Sequence, residues 1–343
     1  HKIAGPTPDD ISNDITRDIL GSDELFRNLI VQRSRSYVKQ SIELENSTRK
    51  IEFPRREPPK VVPYSLKKTY GTLLNKVEKA FDSEKPLLRL PVYSLYDKDK
   101  TGKYLYYIGD PNKLDEMDIG RSLQVVALIR VLLLKRLESS VVAFRETCEN
   151  LLLKLISFVE KHDSDTYTRW VDMNVDLLNL IKSNREIENE DDEDDATLPE
   201  EIRNFWKEEL DAANFNIPKI VTDTLLDLER LLDFLGDLED FDFDKDDKVK
   251  SLINLLNTDE DLQREKVIIF TEFMSTAKYL EKTLKAHQFD DILEIDSSYK
   301  GNRGQVIKRF APFYNKTNRA IFFSKEFYYY VIILIPDFRQ NNC

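Results

Sequence analysis

Glycine is scarce in this chain, with nine residues in 343. So few glycines suit long helices and argue against a loop-rich enzyme. Cysteine is scarcer still: Cys148 and Cys343 are the only two. They form neither a disulfide framework nor a metal-ligand spacing, so a reducing, cytoplasmic setting is expected. The three histidines, His1, His162 and His287, are scattered. That excludes a histidine-based metal site or catalytic triad as a working idea. Long apolar runs are missing as well. The longest, 328–335, falls far short of the ~20 residues that a membrane span needs, and the first residues carry no signal-peptide pattern.

What is abundant is charge. Charged residues make up 33% of the chain and apolar residues 41%, with a net charge of −12. A large core under a heavily charged surface follows. The charge is unevenly spread. Residues 186–195 hold eight acids and no base, and residues 237–247 hold seven acids and one base. In contrast, residues 27–68 carry eleven Lys/Arg against four Glu, and residues 300–319 carry six Lys/Arg and no acid. The acidic total therefore hides two basic zones, and phosphate contact depends on local charge. Solvated surface is the plainer reading of each zone.

Along the chain, residues 8–40 read as short helices, the second capped near Ser22 with Leu25, Leu29 and Ile30 on one face. Four prolines at 54, 58, 59 and 63 make residues 49–64 extended. Residues 65–82 return to helix. Residues 89–109 predict a β-hairpin, with Tyr-rich runs on either side of a turn cluster at 97–102. Its tyrosines could stack on bases, but cross-strand packing is their commoner use. A long helix is expected over 117–161. Val126, Ile129, Leu133, Leu137, Val141, Phe144, Cys148, Leu151, Leu155 and Phe158 repeat in threes and fours, and the span is roughly 65 Å at 1.5 Å per residue. Further helices are expected at 163–187, 199–212, 217–236 and 246–257, separated by the two acidic runs as solvated loops. This middle reads as a helical bundle or arm.

At 265 the period changes. Val267 to Phe270 is a short buried strand, 274–286 an amphipathic helix with Ala277, Leu280 and Leu284 inward, 292–298 a second strand, 304–312 a helix stopped by Pro312, and 319–324 a third strand. Strands alternating with helices imply a parallel sheet. The expected fold class is thus α/β with a dominant α-helical part.

Three blocks carry a family resemblance. The strand ending Phe270-Thr271-Glu272-Phe273, followed by a helix with Thr276, Ala277 and Leu280, resembles the opening of the second RecA-like lobe in superfamily 2 helicases. The Swi/Snf-type branch, especially its bacterial members, is most similar. The turn Lys300-Gly301-Asn302-Arg303 and the helix ending Lys308-Arg309-Phe310-Ala311-Pro312 continue the pattern. Residues 26–40 resemble the arginine-rich segment that links the two lobes, and residues 53–77 the extended piece and helix after it.

The resemblance implies a piece of a longer ATP-driven DNA translocase or remodeller, acting in bacterial DNA transactions or phage defence. It implies an inter-lobe brace at 1–64 that includes Arg33 and Arg35, a helical insertion at 65–257, a partial second lobe at 265–324 and an atypical tail at 325–343. Thr271 and Glu272 would face the DNA backbone, with Lys300 and Arg303 adding charge. The whole enzyme would use ATP and Mg²⁺, with the first RecA-like lobe as partner and DNA bound irrespective of sequence. This chain departs from the pattern: no two glycines have the P-loop spacing Gly-x4-Gly-Lys-Ser/Thr, and Asp115-Glu116 follows no apolar strand. The chain alone is therefore expected to be inactive, with no catalytic or metal residue of its own. The other expectation is a non-enzymatic helical module that binds a protein partner and ends in a RecA-like half domain.

Overall fold

The computed structural model describes residues 57–82, 86–187, 209–239, 241, 243–264, 266–289, 292–295, 299, 301–310 and 331–334. The chain divides into two compact units, His1–Val61 and Val62–Cys343. In the first, residues 57–61 are described and carry neither helix nor strand. Arg33 and Arg35, with the short helices expected over 8–40, lie outside the described residues.

Every described helix and strand belongs to the second unit. α1 (Leu66–Tyr70) starts after Ser65, whose hydroxyl accepts from the Lys68 amide at 3.3 Å. Gly71, at φ 54°, separates it from α2 (Thr72–Ala80). The single helix expected over 65–82 is therefore two, bent where only glycine turns left-handed cheaply.

The long helix expected over 117–161 is also two, α3 (Glu116–Ser139) and α4 (Val141–His162). Ser140 lies between them in an extended conformation, φ −162° and ψ 159°, and its hydroxyl accepts from the Ala143 amide at 3.1 Å. A serine N-cap of this kind restarts a helix by satisfying one of its free amides. All ten residues of the apolar stripe from Val126 to Phe158 are nonetheless buried. The break keeps the Leu137–Val141 spacing of four, so the periodicity runs through it unchanged.

α5 (Ser164–Met173), α6 (Val175–Ile187), α7 (Ile217–Glu239), α8 (Asp247–Thr258) and the short α9 (Glu260–Arg264) complete the helical part. Of the helix expected over 199–212, residues 209–212 are described and are not helical. The acidic run 237–247 is not simply a solvated loop. It contains the end of α7 and a 3-10 turn, Phe243–Lys245, and Asp246 is only 3% exposed. Its carboxylate caps α8, accepting from the amides of Lys248 and Val249 at 3.1 Å each.

Then follow β1 (Ile268–Phe270), α10 (Met274–Ala286), β2 (Ile292–Ile295), α11 (Arg303–Phe310) and β3 (Val331–Leu334). The strands pair in parallel in the order β1-β3-β2, with Ile269 opposite Ile333 and Glu294 also opposite Ile333. The third strand expected at 319–324 lies outside the described residues. The strand that fills the gap between β1 and β2 comes from the stretch expected to be an atypical tail. A second apolar cluster joins Val249 and Leu256 of α8 to Ala277, Tyr279, Leu280 and Leu284 of α10, with Phe289 and Ile292. Val142 of α4 packs against it.

The hairpin expected over 89–109 forms only at its tip. The Leu105 amide donates to the Asp97 carbonyl and the Asp99 amide to the Lys103 carbonyl, each at 2.8 Å, around an antiparallel bridge between Lys98 and Tyr104, while residues 91–96 are mostly turn. The second tyrosine run pairs elsewhere: the Ile108 amide donates to the Asn214 carbonyl, and the Asn216 amide donates to the Tyr106 carbonyl, each at 2.8 Å. Tyr96, Tyr107 and Phe215 form a ring cluster with centroids 5.5–5.9 Å apart. Tyr107 and Phe215 thus meet across a second antiparallel bridge, on the approach to α7.

Two aspartates of α7 tie this segment down. Asp223 accepts from the Tyr106 hydroxyl at 2.9 Å. Asp227, fully buried, accepts from the amides of Arg89 at 2.9 Å and Leu90 at 2.6 Å. Leu90 is held at φ 56°, a conformation that costs a branched residue about 1–2 kcal/mol. Loss of water pushes the Asp227 carboxyl up to about 7, although both amides and Arg89 favour its charge, and Asp223 adds to the rise. A carboxyl raised on folding stabilises most below its unfolded value near 4, and that contribution fades as pH climbs through about 7. A tenfold change in proton affinity on folding corresponds to roughly 1.4 kcal/mol. Between pH 5 and pH 8 the parent should therefore lose a few kcal/mol relative to Asp227→Asn, measured by urea unfolding. Parallel pH profiles for the two proteins would refute this account of the buried carboxyl.

Candidate nucleic-acid interface

In a parallel sheet, loops that follow the strands share one edge. The loop after β1 is three residues long and holds Thr271 and Glu272. The loop after β2 leads to Asn302, which caps α11 by accepting from the Gln305 amide at 3.1 Å, and then to Arg303. With β3 between them, β1 and β2 end about 10 Å apart at the usual strand spacing. Both loops thus leave the same edge of the sheet. Arg303 and Lys308 are exposed. Lys300 lies outside the described residues. A side chain at Gly301 would displace the Tyr299 ring, which lies 2.5 Å from a Cβ placed there.

Thr271 is half-buried, and its hydroxyl lies 3.5 Å from the Phe273 amide, a loose capping contact. Glu272 pairs with Lys135 of α3 at 3.3 Å, and their side chains are 52% and 53% exposed. Phe273 turns inward and is 5% exposed. Its ring lies 4.2 Å from the guanidinium carbon of Arg136, itself 2% exposed. Such stacking is a favourable way to bury a guanidinium.

Beneath the loop lies a cavity of about 260 Å³, with Tyr64, Lys248, Ser251, Phe270, Thr271 and Tyr279 among its walls. The Lys248 ammonium donates to the carbonyls of Glu138 at 2.8 Å and Ser139 at 3.2 Å, the last two of α3. It also sits 5.2 Å from the Tyr64 ring centroid. Burial lowers its pKa, and Glu138 and Asp246 act against that fall. The Tyr279 hydroxyl donates to Asp246 at 3.0 Å, and burial raises its pKa. Lys135, Arg136, Lys248 and Tyr279 escape a motif reading. They come from three helices, and their spacing along the chain has no pattern.

Among the described residues there is no group of three or more His, Cys, Asp or Glu placed to hold a metal ion. No helix among them is long and apolar enough to cross a membrane. Compared with known proteins, the chain matches no family model, no curated protein and no solved structure.

The two polar contacts of the loop should differ in weight. An exposed ion pair contributes little, so Glu272→Ala should change unfolding free energy by less than about 0.5 kcal/mol. Tyr279→Phe strips a buried carboxylate of a donor and should cost about 1–3 kcal/mol. Chemical denaturation of both variants checks the contrast, and a larger loss for Glu272→Ala would contradict it.

Proposed function

We propose that this chain is part of an ATP-driven DNA translocase of the Swi/Snf type, contributing a helical insertion and part of a second RecA-like lobe. The observation that carries the reading is the shared sheet edge. The loop bearing Thr271 and Glu272 and the basic turn before α11 leave parallel strands on the same side. In this reading the edge faces the phosphate backbone, with Lys300 and Arg303 supplying charge. Phosphate contacts of this kind are indifferent to sequence and release counterions. ATP and Mg²⁺ belong to the whole enzyme. The residues present do not fit them, since the chain has no Gly-x4-Gly-Lys cradle.

A second reading, a helical protein-interaction module, is favoured by one observation. Leu128, Val131 and Leu134 of α3 are 43–50% exposed at intervals of three. Three exposed apolar side chains on one helix suit a protein partner.

A titration separates the two. In low salt the chain should bind duplex DNA weakly and without sequence preference, measured by anisotropy. Lys300→Ala with Arg303→Ala should weaken binding equally on all sequences, and the salt slope should fall by about one for each phosphate that is no longer neutralised. Unchanged binding in the double variant removes the edge from the DNA surface, and no binding at all favours the interaction module. DNA-stimulated ATP turnover by the chain alone should stay at background. Turnover that persists through repurification would overturn the assignment.

A further inference from the structure

α10 begins without a cap of its own. Its N-cap residue is Phe273, which makes no side-chain hydrogen bond to the first turn. A missing polar cap typically costs about 1 kcal/mol. Yet this turn is among the most buried parts of the α/β region: Phe273, Ser275 and Thr276 are each 5% exposed, and Ala277 is fully buried.

What holds it is the break between α3 and α4. The Thr276 hydroxyl lies 2.8 Å from the hydroxyls of both Ser139 and Ser140. Arg136, one turn earlier in α3, stacks on Phe273. Lys248 closes the same α3 terminus from the other side. The loop from β1 to α10 has only three residues, 271–273. Three residues span at most about 10 Å, so a fixed start at β1 and a fixed end at Phe273 leave the loop little freedom.

We infer that Thr276 and Arg136 are positioning residues, through which the Ser140 helix break sets how the 271–272 loop leaves the sheet. The helical part and the strand-exit loop are then one mechanical element. Displacing α3 against α4 displaces Thr271 and Glu272. The functional half of this inference rests on the proposed DNA-facing role of the loop. The positioning half stands on the hydroxyl and ring contacts alone.

Hydrogen exchange of the full chain tests it, with Thr276→Val, Thr276→Ser and Arg136→Met. Valine keeps the shape of threonine and removes the hydroxyl; serine keeps the hydroxyl. In Thr276→Val the amides of 272–277 should exchange about tenfold faster, the effect of losing a net hydrogen bond's worth of local stability. Amides of α7 should not change, and Thr276→Ser should restore protection. DNA affinity should weaken several-fold in Thr276→Val and recover in Thr276→Ser. Unaltered exchange at 272–277 overturns the inference. If Thr276→Val instead loosens the whole chain, Arg136→Met decides: local acceleration supports positioning, and uniform acceleration refutes it. If local exchange rises as expected but the parent binds no DNA, the positioning holds and the DNA reading falls.

Discussion

A helix that stops against other elements leaves carbonyls in need of partners. α3 ends this way at Ser139, and several elements of the second unit meet at that terminus. The Ser140 amide returns to the Arg136 carbonyl at 3.0 Å, and Lys248 donates to the last two carbonyls of the helix. Bringing Lys248 there brings α8, and α8 forms one apolar cluster with α10. The hydroxyl trio of Ser139, Ser140 and Thr276 then fixes the register between the helical part and the sheet. An unbroken helix would need none of this and would offer α10 no polar ledge.

The helical part has a second buried polar centre of the opposite sign. Asp223 and Asp227 project from α7 towards a segment with little regular structure, and they bind it through a tyrosine hydroxyl and two backbone amides. Irregular backbone in a core must find partners for its amides. Here the carboxylate supplies both, at the cost of its own hydration. The two centres show one rule in two settings. Where the backbone leaves a regular element, an ionisable side chain from another helix comes to meet it.

Much of the helical part was legible in the chain. The threes-and-fours stripe from Val126 to Phe158 marks the face that is buried, and the shift to short apolar runs near Val267 marks where strands begin. The bounds of α10 match the expected 274–286. Three features were not legible, each for a physical reason. Ser140 interrupts a helix without disturbing the apolar period. The tyrosine runs of 89–109 read as one long hairpin, because aromatic runs around a turn cluster are its usual signature, but the pairing stops at 97–105, and the Tyr106 carbonyl and Ile108 amide pair with 214–216 instead. The tail 325–343 reads as atypical because it departs from the family pattern after Ser324, yet residues 331–334 form the strand between β1 and β2. Of the candidate site, Thr271, Glu272 and Arg303 were visible as residues; their helical supports were not.

Periodicity and burial are properties of neighbours three or four apart, so the sequence alone determined which faces turn inward and that the chain is dominated by helix. It also determined, through its composition, where charge of each sign accumulates. Only the tertiary structure decided that Thr276 meets Ser139 and Ser140, that Arg136 lies under Phe273, and that β3 enters between β1 and β2. Those contacts join residues more than a hundred positions apart, or strands with no partner in their own stretch of chain. Hydrogen-bond and ring geometry at such separations is set by how the helices pack, and no local pattern encodes it.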